Sequence, residues 1–164
     1  MFPPDIYDLS RQVINAYGEQ KQKIVTAESC TGGLLTAALT QIPGSSAVLE
    51  RGFITYSNDA KTEVLAVMPE PLEIYGAVSE PVAEAMAQGA LEFSHADVAI
   101  AITGIAGPGG ATMSKPVGLV YLGLAKRSGA LFHLACNFKG DRDDIRMQAV
   151  REALKMLLSM AEGD

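Results

Sequence analysis

Ser29 has the most reactive setting in the chain. It stands in AESCTGG (27–33), directly after an apolar run, KIVTAE (23–28), that reads as a buried strand, and before a helix expected over 31–41. A hydroxyl at such a junction lies beside helix-start N–H groups that have no partner of their own. Those donors, from Cys30 through Thr31, Gly32 and Gly33, could hold an oxyanion, and the glycines would let a substrate approach the backbone closely. The same spacing suits a plain helix cap by Ser29 or Thr31. Cys30 is a rival nucleophile, because a thiol at a helix N-terminus loses its proton more easily. Its alternative is a small buried side chain.

A nucleophilic serine needs a base. The two histidines, His95 and His133, sit in a polar turn and in mid-strand, and neither adjoins a motif. Lys61, in YSNDAK (56–61), is the better candidate, with Tyr56 and Asn58 beside it. A lysine works as a base only if its pKa falls from about 10.4 toward 7–8, roughly 4 kcal/mol of differential stabilisation. Burial could supply that; otherwise Lys61 is a solvated helix residue. A second small-residue segment, GIAGPGG (104–110), follows the strand DVAIAIT (97–103). Its Gly104, Gly107, Gly109 and Gly110 can form a concavity of N–H groups for an anion such as phosphate, or simply a loop. It matches neither the Walker pattern nor G-x-G-x-x-G. Thr103 ends the strand ahead of it and could donate a hydrogen bond. Arg142 and Arg146 share a face one turn apart, where a cation opposes the helix dipole. Binding of phosphate or carboxylate explains that placement, and so does pairing with Asp143, Asp144 or Glu152. No carboxylate–histidine spacing resembles a metal site, and no cofactor motif is present.

The elements that must position these residues alternate between strands and helices, the pattern of an α/β domain. A helix over 5–20 opens the chain; strands follow at 23–28, 49–57 and 97–103, with helices at 31–41, 59–67 and, capped by Ser79, up to 93. Strands over 117–125 and 130–138 flank Arg127-Ser128-Gly129, a hairpin turn. Asp141 opens a last helix to 160. At 164 residues, one domain without repeats or linkers is expected.

Net charge is −6, which argues against a nucleic-acid partner, since an acidic surface repels phosphate backbones. No run of about 18 apolar residues offers a membrane span. The start MFPPDIYDLS lacks the basic region of a signal peptide, so a cytoplasmic location is expected. The two cysteines, Cys30 and Cys136, have no CxxC spacing. The apolar segments 117–125 and 130–138 could leave a sheet edge for pairing, hence a homo-oligomer.

Taken together, AESCTGG (27–33), GFITYSNDAK (52–61), YGAVSE (75–80), AITGIAGPGG (101–110), KPVGLVYLGLA (115–125) and FKGDRDDIR (138–146) resemble the CinA C-terminal domain family, over nearly the whole chain. The resemblance implies a three-layer α/β/α sandwich with a mixed, mostly parallel sheet. It implies hydrolysis of nicotinamide mononucleotide to nicotinic acid mononucleotide and ammonia, without cofactor. The family's serine and lysine map onto Ser29 and Lys61; Tyr56, whose hydroxyl would relay or tune the proton transfer to Lys61, falls in a matching motif with Thr103 and Arg142 as supporting residues. The larger N-terminal domain of many relatives has no counterpart in this sequence. One departure is visible: Ala111-Thr112-Met113-Ser114-Lys115 stands where the family continues with glycine and a Thr-Pro-Glu-Lys-type segment, which bears on loop shape and substrate preference.

Overall fold

The strand DVAIAIT has no polar alternation because both its faces are covered. In the computed structural model, which describes residues 2–163, it becomes β3 (Val98–Gly104) at the centre of a five-stranded sheet. β1 (Ile24–Glu28) lies beside it, β2 (Leu49–Ile54) at one edge, and β4 (Leu119–Lys126) and β5 (Leu131–Asn137) on the other side, in the order β2-β1-β3-β4-β5. β1 pairs in parallel with both β2 and β3, while β3–β4 and β4–β5 are antiparallel, so β4 alone runs against the other four. The sheet is mixed, with most strands pointing one way.

Side chains alternate across β3 with the period of two that a strand imposes. Val98, Ile100 and Ile102 face α1 (Pro4–Glu19), α2 (Leu34–Thr40) and α6 (Arg142–Glu162). Ala99 and Ala101 face α3 (Asn58–Leu65), α4 (Pro69–Tyr75) and α5 (Glu80–Glu92). The three layers are thus unequal: bulky aliphatics fill one core, whereas small residues on the other let α5 lie close to the sheet. Gly123 of β4 marks that approach, for a Cβ there would run into the Ala83 carbonyl. Gly123→Ala should therefore destabilise the fold by about 2–3 kcal/mol, the cost of overpacking against backbone that cannot yield; a urea titration checks it, and a midpoint like that of wild type would show that α5 can move.

Most predicted elements stand within a residue or two of their expected ends, with four differences. α2 begins at Leu34 rather than near 31, because Gly32 (φ 59°) and Gly33 (φ 99°) take left-handed conformations that hold the preceding turn out of the helix. β2 stops at Ile54, and Ser57 instead caps α3 by accepting from the Ala60 N–H. α4 is an additional helix; its Pro69 occupies the first helical position, which proline tolerates well. Ser79 precedes α5 as expected, yet its hydroxyl donates to the Gly76 carbonyl and makes no cap bond. Asp141 does cap α6, in a reciprocal capping box with Asp144. Of the two apolar segments read as a sheet edge, only β5 is one. No helix among the described residues is long and apolar enough to cross a membrane.

Candidate active site

Ser29 follows the last residue of β1, where its N–H donates to Ile102 O of β3 at 2.9 Å. Glu28, just before it, is fully buried, and a buried carboxylate must find donors. Its oxygens accept from the N–H groups of Gly33, Leu35 and Thr36 at 3.0, 3.1 and 2.8 Å and from the Thr36 hydroxyl at 2.8 Å. This carboxylate, rather than Ser29 or Thr31, satisfies the start of α2. The Gly32 N–H turns back to Ser29 O, and the Leu34 N–H to Thr31 O. Among the described residues, only the N–H groups of Cys30 and Thr31 in this turn have no acceptor.

Lys61 reaches Ser29 from the first turns of α3. Its Nζ lies 2.9 Å from Ser29 Oγ, 2.8 Å from Thr55 O and 3.3 Å from Tyr56 O, and the residue is 1% exposed. Burial lowers its pKa from 10.5 to about 8, and no carboxylate stands among its partners to restore it. A neutral amine can give its two N–H groups to the two nearer carbonyls and take the serine proton on its lone pair, with Ser57 O further off at 3.5 Å. Cys30 is also buried, and desolvation, ahead of the nearby Glu28 charge, raises its thiol to about 11. It stays protonated near neutral pH and is a poor nucleophile.

Ser29 and Lys61 open into a cavity of about 240 Å³ at the carboxyl ends of β1 and β3. Tyr56 and Asn58 line one wall; Thr103, Gly104, Gly107, Gly109 and Gly110 line the other; Arg142 closes one side. The Thr103 hydroxyl is spent on Ala77 O at 2.8 Å, fixing the loop before α5. Arg142 donates to Gly107 O at 2.8 Å and to the Tyr56 hydroxyl at 2.9 Å, tying three segments at the cavity rim. The Tyr56 hydroxyl makes no hydrogen bond to Ser29 or Lys61; only its backbone carbonyl faces the amine. Thr31, Gly32 and Gly33 lie outside the lining, and the buried Thr31 hydroxyl has no partner among the described residues. The divergent 111–115 segment forms its own turn: the Thr112 N–H donates to Lys115 O, the Lys115 N–H to the Thr112 hydroxyl, and the Lys115 ammonium to Tyr75 O.

Neither histidine lines the cavity. His95 is exposed, and His133 on β5 sits between Glu84 at 2.9 Å and Glu80 at 3.2 Å. Their donor atoms lie within 4.8 Å of one another, a carboxylate–histidine cluster that sequence spacing conceals because β5 and α5 meet only in the fold. Sequence reasoning passed over Glu28 beside Ser29, and it read Arg146 with Arg142 as an anion binder or a partner for nearby acids, not as a donor to this turn. Glu28 was legible as an acid inside an apolar strand. Arg146 was legible only as the neighbour of Arg142; its Nε and Nη2 donate to Cys30 O and Thr31 O, each at 3.1 Å.

Residues 6–161 match the model of the CinA C-terminal domain. The chain is 46% identical over 157 residues to the nicotinamide-nucleotide amidohydrolase PncC of Escherichia coli (strain K12), spanning 96% of this chain and 95% of that protein. A CinA-like protein of Akkermansia muciniphila is 49% identical over 150 residues, but these make up 92% of this chain and only 36% of that longer relative. Among solved structures, the competence/damage inducible protein CihA from Agrobacterium tumefaciens superposes with a TM-score of 0.96 at 49% identity, covering 98% of each chain. Matched along nearly its whole length in sequence and in fold, the chain belongs to the CinA C-terminal domain family.

Proposed function

We propose that the chain is an amidohydrolase that converts nicotinamide mononucleotide to nicotinic acid mononucleotide and ammonia by a serine–lysine mechanism. The observation that carries this reading is the buried 2.9 Å contact between Ser29 Oγ and Lys61 Nζ at a cavity floor. The near full-length likeness to an amidohydrolase of that specificity supports the substrate.

Ser29 Oγ attacks the carboxamide carbon while neutral Lys61 takes its proton. The carbonyl oxygen becomes an oxyanion beside the unpaired N–H groups of Cys30 and Thr31. The Lys61 ammonium then protonates the amide nitrogen; the C–N bond breaks, ammonia leaves, and an ester to Ser29 remains. Water attacks that ester, giving its proton to Lys61, which returns it to Ser29 as the acid departs. Every step uses protein groups and water. The substrate phosphate is placed against Arg142 and the N–H groups of Ala106, Gly107, Gly109 and Gly110, which donate to nothing among the described residues. The same reading makes the chain a cytoplasmic enzyme, with the open β5 edge as the place for self-association.

Ammonia release from nicotinamide mononucleotide, with free nicotinamide as the comparison, tests the reaction. Wild type and Cys30→Ala are both expected to turn over the mononucleotide at on the order of 1–10 per second, and free nicotinamide far more slowly. Tight binding without ammonia would make this a nucleotide-binding domain instead. Loss of turnover in a folded Cys30→Ala, with retention in Ser29→Ala, would move the nucleophile to the thiol.

A further inference from the structure

The backbone of the nucleophile turn can be accounted for group by group, and one side chain outside the cavity stands out. Arg146, one helical turn after Arg142 on α6, donates from Nε to Cys30 O and from Nη2 to Thr31 O, each at 3.1 Å. It does not line the cavity, and its side chain is a quarter exposed, with Asp143 at 3.8 Å as its nearest acid. We propose that Arg146 is a positioning residue for the amide hydrolysis, holding two successive peptide planes so that the Thr31 N–H presents itself to the oxyanion. The proposal rests on the Ser29 reading given above.

The reason is covalent geometry. A trans peptide unit is planar and its C=O and N–H point in opposite directions. Pinning Cys30 O to Arg146, which lies outside the cavity, therefore turns the Thr31 N–H away from Arg146, on a peptide whose Cys30 lines the cavity although Thr31 does not; it is one of the two donors in the turn left without an acceptor among the described residues. Pinning Thr31 O sets the Gly32 N–H, which donates to Ser29 O and closes the turn behind the nucleophile. Glu28 secures the far side through the Gly33, Leu35 and Thr36 N–H groups. An acid thus gathers the donors that must not face substrate, and a cation gathers the carbonyls that would repel an oxyanion. The cation also polarises the peptide whose N–H is left over, strengthening it as a donor. A guanidinium suits this task because its rigid fork meets two carbonyls at once, which a lysine ammonium on a flexible stem does poorly. Arg146 is itself well anchored, since the neighbouring Ile145 and the α6 residues Ala149 and Val150 are buried in the main core.

The test is steady-state kinetics on nicotinamide mononucleotide for Arg146→Ala and Arg146→Lys beside wild type and Ser29→Ala. Arg146→Ala is expected to lose about 100-fold in kcat, the scale of losing an oxyanion donor, with KM within about twofold. Millimolar guanidinium should restore part of that kcat in Arg146→Ala and none in Ser29→Ala. Arg146→Lys should fall between, at wild-type KM. Full kcat in either folded Arg146 variant overturns the proposal. A rise in KM at unchanged kcat also overturns it, by making Arg146 a substrate contact, as does a loss of kcat that guanidinium leaves untouched. If Arg146→Ala does not fold, Arg146→Lys decides alone. Activity retained by Ser29→Ala would instead overturn the nucleophile assignment, so the two failures are distinguishable.

Discussion

Ser29→Ala should lower kcat for ammonia release by about 10⁴-fold or more, because the residue that accepts the acyl group is gone and the remaining donors and binding contacts supply only a residual rate. The protein itself should barely notice. Among the described residues Ser29 Oγ has Lys61 as its one hydrogen-bond partner, and Lys61 keeps Thr55 O and Tyr56 O when the hydroxyl is removed. The backbone bonds that shape the turn run through Ser29 N and O and are untouched by the substitution. KM should stay near its wild-type value, since the proposed phosphate partners, Arg142 and the 106–110 loop, keep their places in the cavity lining. Kinetics and a thermal melt on the same preparation check this. A kcat within tenfold of wild type, in a protein that melts normally, would remove Ser29 from the mechanism.

Lys61→Met should cost about 10³- to 10⁴-fold in kcat by removing the general base, while keeping the length and apolar stem of the side chain. The wild-type pH profile follows from the same group. With a pKa of about 8, Lys61 is mostly protonated at neutral pH, so kcat/KM should climb with pH through 8 and level off above it. Stability carries the same signature. The folded value of about 8 lies below the ordinary 10.5, so below pH 8 both states hold the proton and the native state bears the full cost of a buried charge. Between 8 and 10.5 the folded protein releases its proton first, and stability rises with pH. Above that window both states are neutral and the cost has gone. The cost near neutrality is about 3 kcal/mol. Lys61→Met should abolish the alkaline rise in stability and melt above wild type near pH 7, the gap closing toward pH 10. A kcat/KM that is flat from pH 6 to 9.5 would show that Lys61 is not the titrating base.

The sheet was largely legible because β3 and β4 are apolar on both faces, and only strands covered by helices on both sides read so. α4, a helix of seven residues that Pro69 opens, had no counterpart among the elements expected from sequence. Ser29 and Lys61 were each legible as the polar residue of a strand–turn–helix junction. Their contact was not, since it depends on β1 and β2 running in parallel with Glu28 opposite Ile54. Of the N–H groups read from Cys30 to Gly33 as possible oxyanion donors, those of Gly32 and Gly33 are already engaged, by Ser29 O and by a Glu28 carboxylate whose direction the sequence does not encode. Tyr56 shows the same limit: a hydroxyl expected near Lys61 points instead to Arg142, and the backbone carbonyl takes its place.

The pair Ser29 and Lys61 hangs from two parts of the sheet with unequal holds on the molecule. Ser29 extends from β1, paired on both sides and buried throughout; Lys61 rides on α3, which follows the edge strand β2, where no residue is fully buried. Segments of that kind exchange their amide hydrogens through partial openings well below the free energy of global unfolding. A fluctuation that lifts β2 and α3 from β1 parts the lysine from the serine while the central sheet and both large helices on its other face stay in place. On the proposed mechanism, catalytic competence is therefore a narrower property than foldedness, set by the weakest margin of the sheet rather than by its core.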